Sequence, residues 1–399
     1  MAVELAAAET PPSLYEIGLL GEFSDEELKR LLDTISALIS DFGLGVGRGV
    51  SVRIGSAFDG RERHAASVVA YFGNAGHVGH DVAQRAITDN VPVIPTIPAN
   101  GDFATLVPDT LKGANGLRRR SDDHHLEELA IALLECIGLL RRQRRVFVSY
   151  RRVESRSAAV QLHDLLSERG FDVFLDTHDI RPGEPFQDVL WHRLCDSDVL
   201  VMLDTPTYFE SKWTRQELGR ARAKEIHVLR VVWPEHTPNK QMDFAETIYL
   251  DRDELSGGDG PIIDSVASQI AFAVEALRSR SIAARYMSIT GKLWAEVTKI
   301  GGNIEGIGAH RAISVRLPDE TKLWAYPIVG IPTAELLNDI ADKAKRYQPH
   351  GMPVLLYDHV GIRDVWMAHL KWLDDNINSV RAIKVVEAGW VFAAWEARR

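Results

Sequence analysis

Between residues 145 and 232, short apolar runs alternate with stretches of helical period, and this alternation constrains the fold more than any other feature of the chain. The runs at 145–150, 171–175, 198–203 and 226–232 are too short for buried helices and nearly continuous in apolar residues, the pattern of strands covered on both faces. The stretches 156–169, 185–194 and 212–224 read as helices between them, with Gly170 placed to end the first, and a closing helix is predicted over 262–279. Strands that alternate with crossover helices build a doubly wound parallel sheet, here a flavodoxin-like one of five strands.

Open parallel sheets bind ligands beyond the carboxyl ends of their strands. Tyr150 and Arg151 follow the first strand; Arg151 is either a partner for a pyrophosphate or a surface residue, as is Arg152. Trp213 and Glu217 are four residues apart, so on a helix they share one face and set a carboxylate beside an aromatic plate. Ser211 is placed to cap that helix or to meet a ribose hydroxyl. The plainer reading of Glu217 is an exposed helical acid paired with Arg220, and that of Trp213 a core or rim aromatic.

Three ordered segments here resemble the TIR (Toll/interleukin-1 receptor homology) domain of the bacterial kind, over roughly Arg144 to Leu277. The strand from Arg145 to Tyr150 resembles the family's first box. Asp179 to Phe186, with its Pro182-Gly183 turn, resembles the loop after the second strand, and Ser211-x-Trp213-x-x-x-Glu217 resembles the motif of TIR domains that cleave NAD. Thr177-His178 departs from the family's usual wording. The resemblance implies Glu217 as the catalytic residue and a substrate site drawn from Tyr150, Arg151, Asp179, Ile180, Phe186, Ser211 and Trp213. Asp176 belongs to the same loop, which would close over the nicotinamide side and also mediate assembly between domains.

The implied reaction suits a single acid. Nicotinamide is bound to ribose as a pyridinium and leaves as a neutral molecule, so the general acid of the usual glycosidase pair is dispensable. One carboxylate can stabilise the oxocarbenium-like sugar electrostatically or covalently. The expectation is an NAD+ glycohydrolase releasing nicotinamide and ADP-ribose or a cyclic form, with NAD+ as substrate, no cofactor and no metal. It would act as an effector of prokaryotic anti-phage immunity and self-associate through TIR domains. The alternatives are a non-catalytic TIR scaffold and a synthase of a cyclic ADP-ribose messenger.

The flanks are α/β as well. Residues 1–13 read as a loose arm, 14–143 as an α/β unit, 144–280 as the TIR unit and 281–399 as a third, tryptophan-rich α/β unit. In the first, Tyr15 to Gly21 reads as a strand. Ser24 with Glu27 forms a capping box before the helical stripe of Leu28, Leu31, Leu32, Ile35, Leu38 and Ile39. Strands are predicted at 50–54, 67–72 and 91–97, and helices at 81–89 and 126–140. Gly73-x-x-Gly76-x-x-Gly79 follows a strand and opens a helix, a context in which amides can meet a phosphate, though the spacing is not the dinucleotide fingerprint. This unit faintly resembles the SLOG superfamily, nucleoside deoxyribosyltransferases or a degenerate TIR domain. Either a nucleotide-like activating ligand or a packing role follows from that. The basic run Arg141-Arg142-Gln143-Arg144-Arg145 could touch a phosphate, but more often such a run is a solvated helix end.

In the third unit, strands are predicted at 312–317, 323–329, 353–357, 382–386 and 390–395, and helices at 333–347 and 363–376. Lys384 and Glu387 with Asp358 and Asp364 offer a weak nuclease-like set; a binding or assembly module suits the tryptophans better.

Composition narrows the partners. A net charge of −10 over 399 residues argues against broad binding to nucleic acid or acidic membranes. Cys136 and Cys195 give neither metal spacing nor a disulfide framework, and no basic leader or membrane-length apolar run is evident, so a cytoplasmic protein is expected.

Overall fold

The computed structural model of the chain describes residues 13–119, 125–140, 144–175, 186–210, 219, 221–238, 245–348 and 350–395. The first sheet contains β1 (Tyr15–Gly21), β2 (Gly45–Val46), β3 (Gly49–Ile54), β4 (Ala66–Phe72), β5 (Val93–Pro98) and β6 (Leu117–Arg119), with helices α1 (Asp25–Ile39), α2 (His80–Thr88), α3 (Phe103–Leu106) and α4 (His125–Cys136). Its strands run β2-β3-β1-β4-β5-β6, each neighbour parallel. Helix α1 opens on the expected capping box: Ser24 and Glu27 bond reciprocally, and Leu31, Ile35 and Ile39 form the buried stripe.

The second sheet is the predicted doubly wound one. It holds β7 (Arg145–Ser149), β8 (Asp172–Leu175), β9 (Val199–Asp204), β10 (His227–Val232) and β11 (Glu246–Tyr249), with α5 (Arg152–Glu168) and α6 (Phe186–Asp196). The order is β11-β10-β9-β7-β8, parallel throughout. Side chains alternate between two apolar layers: Val146 and Val148 pack with α5, while Phe147 packs against Leu190 and Leu194 of α6. Coverage on both faces is why these strands read as continuous apolar runs.

Helix α7 (Asp264–Lys299) departs from expectation. It runs 36 residues rather than ending near 279, so the point between 280 and 281 lies inside one continuous helix. Its first half, with Val266, Ile270 and Val274, packs on the second sheet, and its last turns, with Ile289, Leu293 and Val297, pack on the third. In between, Ser279 Oγ donates to the Leu14 carbonyl and accepts from the Ala66 amide (3.1 Å), binding the helix to the first sheet. Helix α7 thus touches all three sheets.

The third sheet comprises β12 (Asn303–Ile307), β13 (Ile313–Arg316), β14 (Lys322–Ile328), β15 (Met352–Tyr357) and β16 (Arg381–Lys384), joined by α8 (Ala334–Tyr347) and α9 (Asp364–Asn376) and closed by α10 (Ala388–Ala393). It is antiparallel from β12 to β14 and parallel from β14 to β16. The strand predicted at 390–395 is instead helical. Ala388, Phe392 and Trp395 are spaced to bury one helical face while Trp390 stays 81% exposed. Among the described residues no helix is long and apolar enough to cross a membrane.

Candidate active site

The chain leaves β7 by α5 toward β8 on one side, and returns by α6 to β9 on the other. The strand order therefore reverses between β7 and β9. Such a reversal, at the carboxyl ends of these two strands, is where the crevice that binds ligands in open α/β sheets is expected. Ser149 pairs in register with Met202, which sets Arg151 and the 205–210 turn on the two lips.

Three hydrogen bonds lace the lips together. The Tyr208 hydroxyl donates to Ser149 Oγ at 2.8 Å, wholly inside the protein. Arg151 Nε donates to Thr207 Oγ1 at 3.2 Å, and the Thr207 amide donates to Glu154 Oε2 at 3.2 Å. Arg151 also starts α5, and its carbonyl accepts from the amides of Glu154 and Ser155. Its guanidinium is partly buried and has no carboxylate at ion-pair distance among the described residues, so it can meet an anionic ligand. The turn Tyr208–Glu210 delivers the chain directly to Ser211.

Behind the crevice, β9 ends in Asp204, a buried carboxylate. Arg230 Nε donates to its Oδ2 at 2.7 Å and the guanidinium forms an ion pair with it, and His236 Nε2 lies 3.3 Å from Oδ1. This group stiffens the strand end from which the turn departs. Asp204, Thr207, Glu154 and Tyr208 were not singled out from sequence. Only the position of Asp204 and Thr207 just past an apolar run could have drawn attention to them.

Of the residues named from sequence, Arg151 stands on the crevice. Tyr150 directs its side chain into the core shared with Val146 and Val148. Phe186 begins α6, its side chain outside the described residues. Asp176, Asp179, Ile180, Ser211, Trp213 and Glu217 lie outside the described residues.

The other candidate sets are engaged elsewhere. In the glycine-rich turn of the first unit, Asn74 Oδ1 accepts from the Val78 amide at 2.9 Å. Gly79 caps α2 with φ of 80°, where a Cβ would come within 3.2 Å of Gly21 and Leu20; close loop packing accounts for this glycine. Asp358 pairs with Lys292 and Glu387 with Lys384, both at 2.8 Å.

The family model "TIR domain" matches residues 146–260. A protein of Brachypodium distachyon named "Probable 2′ cyclic ADP-D-ribose synthase BdTIR" is 28% identical over 112 residues, 27% of this chain and 50% of that protein. The chain thus spans about half the length of that relative. A crystal structure of tagatose-6-phosphate ketose/aldose isomerase from Escherichia coli overlaps 70% of this chain and 83% of its own, at 12% identity and a TM-score of 0.20, too weak an overlap to inform the fold. The family match covers β8 to β11 and all of β7 but Arg145, and its sheet has the five parallel strands expected for it: residues 146–260 are a TIR domain.

Proposed function

We propose that the TIR domain cleaves NAD+ at the bond between nicotinamide and ribose. The observation that carries this reading is the likeness of residues 146–260 to TIR domains, together with the name of the plant relative, a cyclic ADP-ribose synthase. Ser211, Trp213 and Glu217 follow the turn that is laced to the end of β7. In this mechanism Arg151 holds the pyrophosphate, Trp213 walls the pocket and Glu217 stabilises the sugar cation as neutral nicotinamide departs. Asp179, Ile180 and Phe186 cover the nicotinamide side, Tyr150 supports the wall and Ser211 meets a ribose hydroxyl.

What attacks the cation decides the product: water gives ADP-ribose, and a hydroxyl or ring nitrogen of the same molecule gives a cyclic form. The relative's name favours the second outcome as an alternative to hydrolysis. NAD+ loss after self-association would suit an effector of anti-phage defence. The decisive experiment measures NAD+ consumption by dilute and crowded protein, with products identified by mass spectrometry. Glu217→Ala is expected to abolish turnover while leaving the circular dichroism spectrum unchanged. Equal consumption by that variant would refute the assignment, and assembly without nicotinamide release would establish a scaffold instead.

A further inference from the structure

A cavity of about 340 Å³ lies at the amino edge of the first sheet, far from the carboxyl ends that form the TIR crevice. Its walls come from the start of β4 and the loop before it, the segment between α2 and β5, Cys136 at the end of α4, the α7 residues Ala283, Tyr286 and Met287, and Arg311 from the loop before β13. Pockets for small molecules concentrate at such junctions, and this volume is at the small end of their range.

The polar groups of the cavity are unbalanced. Arg61, Arg63 and Arg311 face it with a single carboxylate, Asp89, which Arg61 Nη2 already holds at 2.5 Å. Arg311 spends Nε on the Cys136 carbonyl (2.6 Å) and lies over the Tyr286 ring at 4.6 Å, and no carboxylate pairs with it among the described residues. Tyr286 is only 5% exposed, yet its hydroxyl has no hydrogen-bond partner among the described residues. A buried hydroxyl left unbonded and a partly buried guanidinium left without an anion each cost free energy. One ligand carrying negative charge would satisfy both.

The backbone supports the same site. His310 and Arg311 both have left-handed φ, 60° and 56°, a rare conformation for two successive non-glycine residues. Helix α4 holds them there: Glu135 Oε2 lies 2.6 Å from His310 Nδ1, and the Cys136 carbonyl takes Arg311. Ala283, Met287, Val91 and Pro92 add an apolar stretch to the wall, and Ser67, Thr88 and Asn90 add neutral polar groups.

We infer that this cavity binds a small organic anion, a phosphate or carboxylate carried on a flat ring, with Arg311 and the Tyr286 hydroxyl receiving the charge and α7 the ring. The site stands independently of NAD+ cleavage. It also lies on the helix that joins all three sheets, so occupancy is placed to be felt by the TIR domain.

Titration calorimetry on the full chain tests the inference, with phenyl phosphate and benzoate as probes and inorganic phosphate and phenol as controls. Saturable binding of phenyl phosphate or benzoate is expected, tighter than that of either control. Arg311→Gln should weaken it about tenfold or more and Tyr286→Phe about threefold, the ratios for a charged and a neutral hydrogen bond. Met287 is 44% exposed at the cavity mouth, so Met287→Trp should block binding without threatening the fold, keeping the test decisive if Arg311→Gln does not fold. Absence of saturable heat with both probes at roughly 10 mM would overturn the inference, leaving water to satisfy Tyr286. So would binding that Arg311→Gln, or Met287→Trp in its place, leaves unchanged.

Discussion

Arg144 grips Glu275 through both ends of its guanidinium, Nη1 to Oε1 at 3.0 Å and Nη2 to Oε2 at 2.6 Å, with neither residue reaching solvent. The guanidinium is also sandwiched between the rings of Phe42 and Phe171, each 4.2 Å away, one from the first unit and one from the TIR unit. The Tyr15 hydroxyl donates to the same carboxylate at 2.5 Å, and Arg278 joins Tyr15 to Asp198. Burial alone would raise the Glu275 carboxyl; the guanidiniums of Arg144 and Arg278 outweigh it and hold the group below its usual range. Arg144→Met is expected to cost about 3–5 kcal/mol, because it strips a buried carboxylate of its main partner. Urea denaturation measures this. The double variant Arg144→Met/Glu275→Met should lose less than the two single losses combined.

Glu135 joins the first unit to the third. It accepts from Lys343 and lies beside His310, and although burial pushes its carboxyl up, the bond and charge of His310 and the charge of Lys343 bring it down to about 2. Unfolded, it would titrate near 4.5. The unfolded chain therefore binds more protons between these values, and the contribution present above pH 4.5 is lost as pH falls toward 2. It is on the order of 3 kcal/mol. Glu135→Gln should flatten the stability profile in that window, as followed by urea midpoints at successive pH values.

What was legible in the sequence was what is decided locally. The capping box of Ser24 and Glu27 needs four residues, and the strands β1, β7 and β9 needed only their own apolar runs. Partners distant in the chain were not legible. Arg144 and Arg145, read as a solvated helix end, are instead taken up by Glu275 and Asp196, 131 and 51 residues away, which local charge patterning cannot reveal. The helix predicted to reach Leu140 stops at Cys136 because Gly138, at φ of 76°, turns its carbonyl to Arg278 of α7. The fifth TIR strand, Glu246–Tyr249, is an edge strand of mixed polarity, so it lacked the apolar signature of the other four. In the candidate site, Arg151 was found from its place after a strand, whereas Thr207 and Glu154 matter only through contacts between the start of α5 and a turn about 50 residues away.

Lys224 is expected to be a liability near neutral pH. It is 6% exposed and donates to the Asp358 carbonyl (2.8 Å), and burial, with Arg285 nearby, pushes it down to about 8. Between pH 8 and its ordinary 10.5 the unfolded chain binds the extra proton, so stability should rise with pH across that interval. Lys224→Met should remove that rise and leave the protein at least as stable at pH 7. Chemical denaturation at pH 7, 8, 9 and 10 reads both effects.

Thr207 offers the sharpest probe of the crevice. Its hydroxyl receives Arg151 Nε and its amide anchors Glu154, so Thr207→Val removes the first contact while leaving the second and the volume intact. If Arg151 holds the pyrophosphate of NAD+, the loss loosens binding of ground state and transition state alike. KM should then rise about three- to tenfold with little change in kcat. Tyr208→Phe acts differently, since it removes the hydrogen bond that ties the turn leading to Ser211 to Ser149. Its cost should fall on kcat, through misplacement of Glu217, together with about 1 kcal/mol of stability. Steady-state kinetics of nicotinamide release for the two variants separates these outcomes. A shared effect on KM alone would show that the turn positions substrate but not the acid.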